Sequence, residues 1–210
     1  METINCPDNC CSLKYIPYRE VESPFIAVKR SHKKAGIFIT DNEGRILLVQ
    51  SKGNFWGCPK GTMKSTENSA ECAIREVKEE TGLDIPLEAL KDYRRYDIHR
   101  NKSTYYGVTI PFQEVEVQNH IPENDANGIG WIKLDCLRKM VYDRRIMINQ
   151  HCRLVIEKFL GIDIRPRRID TPAGQIYELN SGSSPKSDGS NHNFGWNSMA
   201  NSPLSSSPEW

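Results

Sequence analysis

Glu76, Glu79 and Glu80 stand three and four residues apart in the run REVKEETG. On a helix this spacing brings carboxylates onto one stripe, where like charges repel by about a few tenths of a kcal/mol when exposed and by more when shielded. A divalent cation reverses the sign. Hard oxygen ligands on a rigid helix suit Mg2+ or Mn2+, ions that keep part of their water and accept phosphate oxygens in the remaining positions. The chemistry to look for is therefore metal-assisted attack on a phosphate. The plain alternative for an isolated EVKEE is a solvated acidic face balanced by Arg75 and Lys78.

The glutamates need a helix, and the sequence supplies one. Residues 67–81 contain neither Gly nor Pro; Ser65 or Thr66 can cap the start, and Gly82 can take the left-handed conformation that ends it. At about 100° per residue, Ala70, Ala73, Ile74, Val77 and Thr81 form an apolar arc. Glu76 and Glu80 border that arc, which places them at the edge of the core. The preceding stretch SKGNFWGCPKG carries Gly53, Gly57, Pro59 and Gly61, so it approaches the helix through tight turns. Such a loop can aim carbonyls and amides at an ion or phosphate. Trp56 within it is either a surface on which a base stacks or a packing anchor.

Around this centre, AGIFIT and RILLVQ read as a β-hairpin joined by residues 41–44, with apolar runs that imply burial on both faces. Residues 25–28 fit a first strand. Lys29, Arg30, Lys33 and Lys34 follow as a basic cluster, either a solvated face or a phosphate-backbone contact. Residues 92–98 and 105–117 have strand composition, the latter ending in alternation. Arg94, Arg95, His99, Arg100 and Lys102 lie between or beside them. Tyr96, His99, Tyr105 and Tyr106 either line a pocket or pack. GIGWIKL reads as a short strand after Glu123 and Asp125, and Asp135 can cap a turn beyond it. A helix over residues 143–161 buries Ile146, Ile148, Cys152, Val155, Ile156 and Phe159 and stops at Gly161.

The whole chain of 210 residues allows one ordinary domain plus flanks. A formal charge of +1 gives no global pull toward nucleic acid or membrane, so a basic surface must be local. Hydrophobic residues make up 38%, low for a wholly folded chain. Residues 1–24 carry Pro7, Pro17 and Pro24 without a sustained period and read as an irregular arm. Residues 163–180 are a basic extension with Arg165, Arg167 and Arg168. Residues 181–210 are rich in Ser, Asn, Gly and Pro and are expected to be disordered. Trp196 and Trp210 in that tail are either a linear motif for a protein partner or part of a solvated tail. No apolar run is long enough for a signal peptide or a membrane span, so a soluble, cytoplasmic protein without a membrane partner is expected. The seven cysteines are then expected to stay reduced. Cys6, Cys10 and Cys11 cluster, but zinc needs a fourth donor and none is near them in sequence. Cys72 lacks a His at activating spacing and reads as a small helix residue.

One stretch raises the acidic stripe above a solvated face. It runs Gly61, five residues, Glu67, seven residues, Arg75, Glu76, Val77, one residue, Glu79, Glu80, one residue, Gly82 and Leu83. This resembles the Nudix box at every fixed position, and the likeness in element order extends over about residues 25–162. The resemblance implies an α/β fold of the α+β type, a mixed β-sheet sandwiched between α-helices. It also implies a pyrophosphohydrolase dependent on Mg2+ or Mn2+. By the same likeness Glu76, Glu79 and Glu80 hold metal, one of them able to act as base; Arg75 steadies them, and the Lys60 carbonyl completes the coordination.

Within the family FWGCPKG, CAIREVKEETGLDI and DANGIGW look most like the mRNA-decapping enzymes, in a layout closer to the stand-alone proteins of large DNA viruses. In the last segment Asp125 matches a Glu that serves as ligand or base, with Glu123 as competitor. The resemblance thus implies hydrolysis of the 5' cap of capped RNA, with release of 7-methylguanosine diphosphate. Lys60, Trp56, Lys33, Lys34, Arg94 and Arg95 are the candidates to bind substrate. The alternatives are a diphosphoinositol polyphosphate or diadenosine polyphosphate hydrolase, the latter taking a nucleotide pyrophosphate as substrate in place of capped RNA, and a non-catalytic RNA-binding module on the same scaffold.

Overall fold

The structure, a computed structural model, describes residues 1–17, 33–51, 54–91, 94–98, 102–118 and 126–165. The strand expected over residues 25–28, Lys29, Arg30, His99, Arg100, Glu123, Asp125 and the chain beyond Arg165 lie outside the described residues.

Among the described residues, ten strands make one mixed sheet. Its main path begins with β1 (Glu2–Asn5) and β2 (Ser12–Tyr15) and continues through β9 (Gly128–Lys133), β4 (Arg45–Ser51), β3 (Lys34–Asp41) and β8 (Ser103–Ile110) to β7 (Arg95–Ile98). Two short strands from the glycine-rich loop join it: β5 (Phe55–Gly57) beside β4, and β6 (Lys60–Thr62) beside β3. β10 (Met147–Ile148) pairs with β5. β3 and β8 run parallel over their full eight-residue length, from Lys34 opposite Ser103 to Asp41 opposite Ile110. The expected hairpin of β3 and β4 is present, with Thr40 opposite Ile46.

Side-chain alternation assigns the two faces. Ala35, Ile37 and Ile39 of β3, Leu47 and Val49 of β4, and Ile129 and Trp131 of β9 face helix α1 (Ser69–Thr81). Phe38, Ile46, Leu48 and Ile132 face the other way, toward α2 (Leu134–Tyr142) and α3 (Gln150–Leu160). A sheet covered on both sides needs apolar residues at successive positions, which is why AGIFIT and RILLVQ show no alternation. The α+β sandwich expected from the resemblance is the observed architecture.

Four local expectations are corrected. The arm is not irregular at its start: β1 and β2 form a hairpin, and Lys14 opposite Ile129 joins it to the sheet. The helix expected over residues 143–161 begins at Gln150, because the Asn149 side chain accepts from the Cys152 N–H and β10 occupies the preceding residues. A separate helix, α2, precedes it and buries Cys136, Leu137, Met140 and Val141. β8 stops at Ile110, just before Pro111, which has no N–H for the ladder. The alternating residues beyond follow no strand; their Gln113 carbonyl accepts from the Trp131 indole at 2.9 Å.

Candidate active site

Helix α1 starts later than its composition implies. Asn68, not Ser65 or Thr66, is the N-cap: its side chain accepts from the N–H groups of Ala70 and Glu71, while the Glu71 carboxylate accepts from the Asn68 N–H. Three otherwise unpaired donors, the Asn68, Ala70 and Glu71 N–H groups, are satisfied at once, a gain of about 1 kcal/mol. The other end closes as expected, on Gly82 at φ 77°. Glu67 is left just outside the helix, and there it meets Arg75.

The Arg75 guanidinium ties the site together. Its Nε and Nη2 donate to the two Glu67 oxygens at 2.9 and 2.7 Å, and its Nη1 donates to Glu76 and to Glu79, each at 2.8 Å. Nη2 also reaches the Thr62 carbonyl at 3.1 Å, which fastens α1 to β6. The planar fork suits this task in a way a lysine ammonium does not. The Arg75 bond holds the Glu67 carboxyl well below its usual range, at about 2, and Glu67 in turn raises Arg75 above its own ordinary value.

Glu80, 2% exposed, is the most buried of the three glutamates, and its Oε2 accepts the Lys60 N–H at 2.9 Å. Glu76 meets the loop differently. A Cβ built on Gly61 would fall 2.0 Å from the Glu76 carboxyl carbon, so the bare glycine leaves the space that this carboxylate uses. Gly61→Ala should therefore fold, since the obstructing atoms are the end of a flexible side chain. It should also push Glu76 aside and lower turnover by about 10- to 100-fold, because misplacement by an ångström costs that much. An intact melting temperature with that loss is the expected pair of readings; full activity would mean that the position of Glu76 does not matter.

The donor set fits a divalent cation. Glu76, Glu79 and Glu80 present only oxygen. Gly61 and the Lys60 N–H fix where two of the carboxylates lie, so they are preorganised rather than splayed toward solvent. This is the chemistry expected of Mg2+ or Mn2+ sites.

Other candidates divide. Lys34 pairs with Thr62, and the Lys33 carbonyl accepts from the Met63 N–H, so both lysines adjoin the strand that carries Gly61. Trp56 is 1% exposed and packed in the core, so it is a packing anchor and presents no face to a base. Arg94 and Arg95 stand at the β7 edge, beyond β8 from β3 and β6. Arg94 lies over the Phe159 ring at 5.9 Å and Arg95 pairs with Asp97 at 3.1 Å. Cys72 is fully buried, and loss of water pushes its thiol up to about 12, as expected of a packing residue rather than a nucleophile.

His151 belongs near this centre and has no signature in the sequence. Its Nδ1 is 3.2 Å from the Tyr105 hydroxyl, and burial, then the charges of Lys60 and Lys34, lower its pKa and favour the neutral ring. Burial also keeps the Tyr105 phenol protonated. Only the fold brings α3 to β8 and β6.

Residues 30–150 of the chain match the NUDIX domain. The chain belongs to the NUDIX family. Over 158 residues it is 34% identical to protein 111R of Invertebrate iridescent virus 3, an alignment that covers 72% of this chain and 91% of that protein. It is 35% identical over 126 residues to the mRNA-decapping enzyme subunit 2 of Saccharomyces cerevisiae, covering 57% of this chain but 13% of the yeast protein. The mRNA-decapping protein g5R of African swine fever virus is 26% identical over 157 residues, 62% of this chain and 58% of that one. The NUDIX relatives thus include viral and eukaryotic decapping proteins at modest identity. Among the described residues no helix is long and apolar enough to cross a membrane.

Proposed function

We propose that this NUDIX protein hydrolyses a pyrophosphate link in the 5' cap of messenger RNA, releasing 7-methylguanosine diphosphate and a 5'-monophosphate RNA. The similarity to the yeast and African swine fever virus decapping proteins carries this reading. The carboxylates gathered beside a lysine-bearing strand support it. Mg2+ or Mn2+ held by Glu76, Glu79 and Glu80, with the Lys60 carbonyl, would polarise the phosphate and lower the pKa of a bound water.

The chain's own residues do the rest. Water's oxygen bonds to phosphorus, one anhydride P–O bond breaks, and the leaving phosphate keeps the electron pair. The water's proton passes to a carboxylate of the cluster. Arg75 keeps Glu76 and Glu79 from splaying apart, and the Lys60 N–H does the same for Glu80. Lys60, Lys34 and Lys33 offset charge that develops on the phosphates. Asp125, the counterpart of a Glu in the decapping enzymes, lies outside the described residues.

The test is a substrate panel with Mg2+ and with Mn2+: cap-labelled RNA, free cap dinucleotide, diadenosine tetraphosphate and a diphosphoinositol polyphosphate. Capped RNA is expected to be turned over fastest. Equal or better turnover of the dinucleotide would remove the RNA part of the proposal, and preference for either of the others would replace it.

A further inference from the structure

The N-terminal hairpin meets α2 at four thiols. The Cys10 Sγ lies 3.7 Å from that of Cys6, 3.7 Å from that of Cys11 and 3.4 Å from that of Cys136. All four sulfurs lie within 4.8 Å of one another. Four thiolates bound at about 2.3 Å around a tetrahedral ion would space their sulfurs about 3.8 Å apart, close to this arrangement. We propose that Cys6, Cys10, Cys11 and Cys136 form a closed zinc site that fastens the hairpin of β1 and β2 to the first turn of α2.

The fourth donor stands 126 residues from Cys10, so no spacing along the chain announces it. Folding supplies it. The backbone around the sulfurs is shaped for the same purpose. Residues between β1 and β2 fold into a tight loop in which the Cys6 N–H donates to the Cys11 carbonyl at 2.9 Å and the Asn9 N–H to the Cys6 carbonyl at 3.0 Å. Asn9 takes a positive φ of 51°, which the loop needs in order to turn Cys10 and Cys11 back toward Cys6.

Two backbone N–H groups point at sulfur: Cys11 to the Cys6 Sγ at 3.3 Å and Lys133 to the Cys11 Sγ at 3.4 Å. Donors of this kind orient thiolate ligands and spread their charge. Each thiol would release a proton to solvent as it binds, leaving the site with a net charge of −2. One turn beyond Cys136, the Lys139 ammonium is 2.7 Å from the Asp8 carboxylate, which ties the same loop to the same helix a second time.

The hairpin has a physical need for such a fastening. Its strands have four residues each, and β2 meets β9 at two residue pairs. A hairpin of that size is marginal alone. Four sulfur ligands leave no open position, so the ion is structural and separate from the carboxylates of α1. A disulfide would need two sulfurs about 2 Å apart, and all seven cysteines are free. Cys58, Cys72 and Cys152 are buried elsewhere in the core and take no part.

Cys10 makes the test sharp because it is exposed. Without a metal, Cys10→Ser is an ordinary surface change of small effect. With one, it removes a ligand. Protein purified under reducing conditions without added metal is expected to carry about one zinc ion per chain by elemental analysis, and Cys10→Ser and Cys136→Ser less than a tenth of that. Cobalt added to the chelator-stripped chain should give the visible absorption of a tetrahedral thiolate complex, absent from Cys10→Ser. The wild-type melting temperature should fall by roughly 10 °C with a zinc chelator, while the variant starts low and does not respond. Metal-free wild type that melts with Cys10→Ser, iron in place of zinc, or a disulfide among these residues by mass spectrometry would each overturn the proposal. None of these readings depends on hydrolysis, so failure here leaves the decapping proposal standing, and the reverse holds.

Discussion

Glu80→Gln is expected to lower hydrolysis by about 10²- to 10⁴-fold while leaving the protein folded, and to raise rather than lower its melting temperature in the absence of divalent ions. The two halves have one cause. Glu80 is 2% exposed and its Oε2 accepts the Lys60 N–H, a bond that a glutamine carbonyl can keep. What the substitution removes is a negative charge held out of water close to Glu76, which is costly in the free protein and useful only when a cation or the reacting water needs it. Thermal melts with and without Mg2+ read both effects: the variant should start higher and gain less from the ion. A variant that keeps more than a tenth of wild-type turnover would take Glu80 out of the mechanism. One that melts much lower without metal would show that the carboxylate serves the fold instead.

Arg75→Met should be the most destabilising single change in the site, at about 3 kcal/mol, the low end of the cost of leaving a partly buried charge unpaired. The low end applies because Arg75 retains 22% side-chain exposure and Glu67 11%, so water screens part of the loss. Three carboxylates lose their donor together. Added Mg2+ should therefore raise the melting temperature of the variant more than that of the wild type. The pH dependence gives an independent check. In the wild type the folded-state pKa of Glu67, about 2, is depressed from an ordinary 4.5 by the Arg75 bond. Its stabilisation is thus present above pH 4.5 and is lost as the pH falls toward 2. Without Arg75 that depression goes, so the gap between wild type and variant in urea titrations should be widest at neutral pH and narrow through this window. A gap that does not change with pH would mean that the ion pair is not what the substitution removes.

The parts of the fold that could be read in advance are those where one residue has one physical job. Gly82 and Gly161 end their helices, and each takes the left-handed conformation expected of it. The unbroken apolar runs of β3 and β4 required a sheet covered on both faces, and helices cover both. The α1 stripe placed Glu76 and Glu80 at the core boundary; Glu76 lies there, and Glu80 goes further in and is buried. The errors came where neighbours compete. Ser65, Thr66 and Asn68 can all cap, and Asn68 prevails because Glu71 completes the reciprocal bond. Trp56 looked like a loop aromatic, but its segment is a strand between β4 and β10, which buries it. The apolar positions expected to form a helix over residues 143–161 begin before Asn149, and residues 134–142 form a helix of their own. The Asn149 cap starts the second helix at Gln150. His151 and Cys136 had no local signature, since their partners come from β6 and β8 in one case and from a loop near the N-terminus in the other. Long-range juxtaposition is what spacing along a single sequence hides most completely.

The parallel pairing of β3 with β8 has a consequence for the order of assembly. Parallel neighbours cannot be joined by a tight turn, and here everything between them, residues 42–102, is the connection, with Gly61 and the whole of α1 inside it. The acidic centre is therefore carried on a long crossover whose ends meet only when residues 103–110 dock beside β3. Closing so large a loop is slow, although the pairings of β3 with β4 and β6 lie within it and need no β8. A nascent chain that has not yet released β8 from the ribosome holds every glutamate of the cluster together with Lys60, Gly61 and Arg75, but β3 lacks the strand that pairs with its full length, so hydrolytic competence should arise late in synthesis, once β8 docks.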